Sequence, residues 1–274
     1  MNTTVKRTLS GLCFLAIMVC GLLFNQYAFG ALILFIMIVM MLEFYALTMG
    51  DCYKVSRGFA IASGVILFCL VFSAYAFGLP AKYIGLSLIP LLVVMVLSLY
   101  SKDRAEFKMA SNLYTGMIYI AIPLSLLNLL AFRGGSFSGL LILSFFCIIW
   151  GSDVGAYCFG MLFGKNGKKL FPSISPKKSW AGFWGGLLTA VTTAIVLNLT
   201  GLLVMPWYHS LILAVLMHVA GVYGDLFESL WKRVYDVKDS GNIIPGHGGF
   251  MDRFDSAIFA IPTGALYLML TGLI

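Results

Sequence analysis

Charge is scarce in this chain. Asp, Glu, Lys and Arg together make up 11% of its 274 residues, where a water-soluble fold carries roughly a quarter. A surface this poor in charge cannot face water over most of its area, so most of it must face lipid. The six cysteines form no CxxC pair and most lie inside apolar runs. That excludes zinc ribbons and disulfide frameworks and leaves small buried hydrophobes. There is no internal repeat and no low-complexity linker. At about 20 residues per span plus short loops, no length remains for a separate soluble domain, and a single membrane domain over 1–274 is expected. No small-residue cleavage site follows Lys6, Arg7 and the first apolar run, so that run is read as a retained span and not a signal peptide.

What is present is apolar: 61% of the residues are hydrophobic. The nearly continuous runs predict an all-α polytopic integral membrane protein, because a helix satisfies its own backbone hydrogen bonds in lipid. We place about nine spans at 8–24, 28–49, 58–79, 83–100, 111–131, 137–160, 181–203, 207–230 and 252–273, with Gly30, Pro80 and Pro206 punctuating ends. All but two of the 18 Lys and Arg residues then fall in the N-terminal segment and the even-numbered loops; only Lys82 and Arg133 fall elsewhere. This positive-inside bias predicts a cytosolic N-terminus and a C-terminus outside. The formal net charge of +7 therefore reports topology, and nucleic-acid binding is not expected.

Two predicted cytosolic loops are long, 161–180 and 231–251, and polar residues gather there. Asp225, Glu228, Ser229 and Lys232 are spaced to share one face of the helix entering the second loop. An Asp within a span is costly and implies a cation, a partner or water. The loop returns through Pro245, Gly246, His247, Gly248 and Gly249 to Asp252, Arg253 and Asp255 at the start of the last span. Because consecutive spans are antiparallel, Asp225 and Asp252 are expected at similar depth, joined by Asp153, with Tyr157 one turn on, near the end of the sixth span. Clustered carboxylates suit a hard, oxygen-seeking cation such as Mg2+. His247-Gly248-Gly249 before a helix start offers backbone N–H groups to a phosphate. Lys232, Arg233, Lys238 and Arg253 add positive charge, and in the other loop Ser175-Pro176-Lys177-Lys178-Ser179 precedes a glycine-rich helix start. These are the parts that phosphoryl or nucleotidyl transfer requires.

The run from Ser229 to Asp255, with Lys232-Arg233, Lys238-Asp239, Pro245, His247-Gly248-Gly249 and Asp252-Arg253 at their spacings, closely resembles the signature of phosphatidate cytidylyltransferases (CDP-diacylglycerol synthases). Gly224-Asp225, the Ser175–Ser179 stretch, and Asp153 with Ala156-Tyr157 and Gly160 are also similar to that family. Trp231 departs from it, standing where an aliphatic residue or Phe is usual. Residues 1–136 carry no recognised motif, so the resemblance places the catalytic helices and loops in 137–274. It implies Mg2+-dependent transfer from CTP to phosphatidate at the cytosolic face of a bacterial inner membrane, K+ being an accompanying candidate, and leaves a homodimer open. It implies Asp225, Asp252 and Asp255 as metal ligands. It also implies Ser229, Lys232, Arg233, Lys238 and Asp239 as catalytic-site groups. Asp153, Tyr157, Ser175, Lys177, Lys178, His247, Gly248, Gly249 and Arg253 are the implied substrate contacts.

Plainer roles are expected for several polar residues. Lys165, Lys168 and Lys169 read as topology signals and contacts to anionic lipid. His209 and His218 read as structural, and Glu43, inside the second span, as an interhelical pairing partner. Two other functions are weighed: CTP-dependent transfer to an isoprenoid or ether lipid, and a transporter. The transporter would need polar groups across the bilayer, and the odd-numbered loops are almost uncharged.

Overall fold

The computed structural model describes residues 3–50, 52–100, 104–165, 167–241, 243 and 248–274. Helices dominate. The apolar runs become α1 (Thr3–Leu23), α2 (Gln26–Met49), α3 (Lys54–Phe77), α4 (Leu88–Leu99, after a 3-10 segment at Ala81–Ser87) and α5 (Arg104–Gly116). A π-helical segment (Met117–Ala121) and the short helices α6 (Ile122–Ser125) and α7 (Leu127–Ala131) follow. After them come α8 (Leu140–Phe163), the strands β1 (Lys169–Phe171) and β2 (Ser175–Ser179), α9 (Trp180–Leu199), α10 (Trp207–Val234) and α11 (Met251–Leu270). Among the described residues, seven helical segments are long and apolar enough to cross a membrane; the shorter Thr8–Leu23 is apolar too. The chain is an all-α polytopic membrane protein. α11 is not among the seven; Asp252, Arg253 and Asp255 occupy its first turns.

Boundaries differ from expectation by a few residues, with one larger departure. The predicted fifth span, 111–131, is continuous in its apolarity but broken in its backbone. Pro123 has no N–H for the carbonyl four residues back, and the π segment and two short helices stand around it.

The chain packs as two compact units. The first comprises Met1–Phe137 and Asp239–Arg253. Its core is the inward side of α2, with Phe29, Ile33, Met37, Met40, Phe44 and Tyr45 all buried. Asn25 caps α2 by accepting from the N–H groups of Tyr27 and Ala28 at 2.9 and 2.8 Å. The Tyr45 hydroxyl donates to the Leu113 carbonyl at 2.9 Å, tying α2 to α5. Leu88, Leu92 and Val96 stand exposed along α4, the outward face that lipid covers.

The second unit comprises Ser138–Lys238 and Phe254–Ile274. Its α8 and α9 lie so close that a Cβ on Gly155 would overlap the Thr189 hydroxyl, and one on Gly185 would overlap Phe159. Small residues at such a contact let two helices pack where lipid supplies no hydrophobic drive. Asn198 donates to the Leu203 and Met205 carbonyls and to the Ser210 hydroxyl, fastening the α9–α10 turn. His209 bonds Tyr267 at 2.6 Å. His218, buried, bonds Ser152 at 2.8 Å and packs its ring on Phe183. Both histidines thus tie neighbouring helices through their side chains.

Candidate active site

The cluster forms in the second unit, where α10 runs long. Its 28 residues extend roughly 42 Å at 1.5 Å per residue, beyond a hydrocarbon core of about 30 Å. Its final turns therefore have length to spare for polar residues. Asp225 and Glu228, three residues apart, share a face there. Gly224 brings α11 against that face: a Cβ on it would sit 2.5 Å from the Asp255 carbonyl oxygen and 3.2 Å from Phe259 Cβ. Asp255 consequently joins Asp225 and Glu228, and one carboxylate oxygen from each lies within 4.8 Å of the others. Asp153, on α8, joins the group through Ser256, whose hydroxyl donates to it at 3.4 Å.

Cations border the carboxylates. Lys178 Nζ lies 2.5 Å from Asp225 Oδ2. Lys232 Nζ donates to Glu228 Oε2 at 2.9 Å, and the Glu228 side chain is fully buried. The Ser229 hydroxyl donates to Asp225 Oδ1 at 3.4 Å, and the Ser256 N–H to Asp255 Oδ1 at 2.6 Å. Lys178 thus pairs with Asp225 and Lys232 with Glu228. Carboxylates gathered within 4.8 Å of one another repel if ionised. A bound cation relieves that repulsion, and an all-oxygen donor set suits a hard one.

The loop predicted at 161–180 contains a hairpin. β1 and β2 pair antiparallel, with Lys169 opposite Ser179 and Phe171 opposite Ser175. Alternation along β2 sends Lys177 and Lys178 to opposite faces. Lys178 turns to the carboxylates and Lys177 is exposed. Ser175 starts the strand and Ser179 ends it, its hydroxyl capping α9 by accepting from the Gly182 N–H at 3.1 Å. Arg233 Nε donates to the Ile174 carbonyl at 3.3 Å, tying the hairpin to α10.

The remaining predicted site residues are placed as follows. Tyr157 is on α8 and exposed; Lys238 is exposed beyond α10. Asp239, Gly248, Gly249, Asp252 and Arg253 belong to the first unit. There Asp252 Oδ2 accepts three bonds: from the Ser240 N–H (3.1 Å), the Ser240 hydroxyl (3.0 Å) and the Gly249 N–H (2.8 Å). Gly248 has φ +82°, a conformation that favours glycine. Asp239 and Arg253 are exposed. His247 lies outside the described residues.

Glu228 was missed as a ligand candidate. The metal ligands expected from the sequence are Asp225, Asp252 and Asp255; Glu228, three residues from Asp225, is an additional candidate whose carboxylate the structure brings to those of Asp225 and Asp255. The Glu228 carboxylate is fully buried, and burial is not written in spacing.

Fold and site together define a polytopic membrane protein carrying an oxygen-rich, lysine-bordered carboxylate cluster on its C-terminal helices. Residues 5–271 match the model of the cytidylyltransferase family, and the chain belongs to that family. It is 39% identical over 178 residues to the phosphatidate cytidylyltransferase of Bacillus subtilis, covering 65% of this chain and 62% of that protein. The corresponding protein of Staphylococcus epidermidis is 38% identical over 180 residues, covering 65% and 66%. The Rickettsia felis phosphatidate cytidylyltransferase is 36% identical over 211 residues, covering 74% and 88%. The chain thus spans just under two thirds of the length of the first two relatives.

Proposed function

We propose that this chain is a membrane cytidylyltransferase that transfers CMP from CTP to phosphatidate, giving CDP-diacylglycerol and pyrophosphate. The observation that carries the proposal is the meeting of Asp225, Glu228 and Asp255, bordered by Lys178 and Lys232, in a member of a family whose relatives bear the name of that activity.

An ionised phosphate oxygen of phosphatidate attacks the α-phosphorus of CTP. The new P–O bond forms as the bond to the bridging oxygen of the β-phosphate breaks, and pyrophosphate leaves. The nucleophile is already ionised near neutral pH, so no strong general base is needed. Positioning and charge neutralisation carry the rate. Lys178, Lys232 and Arg233 supply fixed positive charge beside the carboxylates. Asp225, Glu228 and Asp255 would hold Mg2+, with Asp252 a further candidate by motif and K+ a possible companion ion. When bound, Mg2+ supplies neutralisation of triphosphate charge and a template for the in-line geometry. The loop charges favour a site on the cytosolic face of a bacterial inner membrane, where CTP is available.

The test is a single assay. Purified protein in detergent is given phosphatidate and CTP, with and without Mg2+, and pyrophosphate release is followed. Release that requires both substrates and the metal is expected. No release with phosphatidate, but release with an isoprenoid phosphate or an ether lipid, would transfer the activity to another lipid. Release with none of these lipids would remove it.

A further inference from the structure

The N-terminal 136 residues carry no recognised motif, yet α2 brings one carboxylate to the signature loop. Glu43 is 5% exposed. Its Oε1 accepts from the Phe250 N–H at 3.0 Å and its Oε2 from the Met251 N–H at 2.9 Å. These are the two residues before Asp252. Beside it, the Ser240 hydroxyl donates to Asp252 Oδ2 at 3.0 Å.

The backbone is shaped to admit it. A Cβ on Gly241 would lie 2.6 Å from Glu43 Oε1, and one on Gly249 would lie 2.6 Å from Oε2. Phe35, also on α2, meets Phe250 edge to face at 5.9 Å. Glu43 and Asp252 therefore grip the loop from two sides. Asp252 takes the N–H groups of Ser240 and Gly249; Glu43 takes those of Phe250 and Met251. Burying a carboxylate in an otherwise apolar helix is costly unless donors aim at it. Here backbone donors do so, with charge-assisted bonds.

We infer that Glu43 is a positioning residue for the signature loop: it clamps the Phe250–Met251 backbone and thereby sets Gly249 and Asp252 for the reaction. The inference rests on the proposed cytidylyltransferase reading. A loop misplacement of about 1 Å costs on the order of a hundredfold in rate. Glu43→Ala, which removes both acceptors, is expected to lower kcat/KM for CTP by about that factor. Glu43→Gln keeps one acceptor oxygen and turns an amide NH2 toward the other N–H, so a loss of about tenfold is expected. KM for phosphatidate should stay within about twofold.

Amide hydrogen exchange on the full chain in detergent supplies the second readout. In both variants, Gly249–Met251 should exchange faster while α2 and α10 keep their protection. If Glu43→Ala does not fold, Glu43→Gln carries the test alone. Wild-type activity with wild-type protection in the Gln variant would overturn the inference. Lost activity with unchanged protection at Gly249–Met251 would overturn it too, because Glu43 would then act on substrate directly. A wild-type protein inactive with CTP and phosphatidate would sink the function reading alone, and the exchange pattern would still decide the clamp.

Discussion

Gly224→Ala separates close approach of α10 and α11 from all other effects at the cluster, since it changes no charge and no donor. The added Cβ would sit 2.5 Å from the Asp255 carbonyl oxygen and 3.2 Å from Phe259 Cβ. An ordinary contact begins at 3.4 Å, about 0.9 Å beyond the first of these distances, and a backbone carbonyl cannot rotate away as a side chain can. α11 must therefore retreat, taking the Asp255 carboxylate from Asp225 and Glu228. Overpacking of this kind costs about 1–3 kcal/mol in stability. A displacement approaching 1 Å at a transfer site costs on the order of a hundredfold in rate. The assay is CDP-diacylglycerol formation against Mg2+ concentration, with thermal unfolding in the same detergent. The expected result is a fall of roughly a hundredfold in kcat/KM, with half-activity shifted to higher Mg2+. Gly58→Ala is the control: on α3, nothing lies within 4 Å of its added Cβ, so activity should be unchanged. Wild-type rate and Mg2+ requirement in Gly224→Ala would refute the close-packed cluster as the working centre.

Asp225→Asn and Asp252→Asn should each abolish Mg2+-dependent product formation while the purified proteins remain folded by circular dichroism; full turnover in either would discard that residue's assigned role. Glu228→Gln removes the charged partner of Lys232 and should lower stability by about 1.5–3 kcal/mol and raise the half-activating Mg2+ concentration at least tenfold; an unchanged Mg2+ titration would remove Glu228 from the ligand set. Lys178→Ala frees Asp225 Oδ2 from its ion pair, so half-activation should move to lower Mg2+ while kcat falls about tenfold; since both side chains are partly exposed, stability should change by under about 1 kcal/mol. Epitopes at the two ends test orientation: in intact spheroplasts the C-terminal one should be reached by antibody and the N-terminal one not, and the reverse would invert the loop-charge reading.

What the sequence makes legible here follows from range. Long apolar runs are local, and a helix in lipid is forced by its own backbone, so α2, α3, α8, α9 and α10 stand close to where they were expected. Asp225 and Glu228 share a face because three residues separate them, which is also local. Gly224 and Asp255 meet only because two helices pack, and the motif hints at that meeting without stating its geometry. The hairpin at Lys169–Ser179 escaped because its strands are polar and short, with none of the apolar alternation that betrays a half-buried strand. It is held by contacts beyond itself, from Arg233 to Ile174 and from Lys178 to Asp225.

Glu43 shows most clearly where sequence reading stops. A lone acidic residue in an apolar helix announces that something must answer its charge, and an ionic partner on a neighbouring helix was the natural expectation. The donors turned out to be backbone N–H groups 207 and 208 residues away, and no pattern of side chains encodes those. That choice has a functional consequence. A carboxylate answered by a lysine could keep its partner while the signature loop drifted, but one answered by the loop's own backbone cannot. Burial of Glu43 and placement of the Phe250–Met251 backbone are therefore one event. Selection on the loop should then reach into a helix that carries no motif of its own.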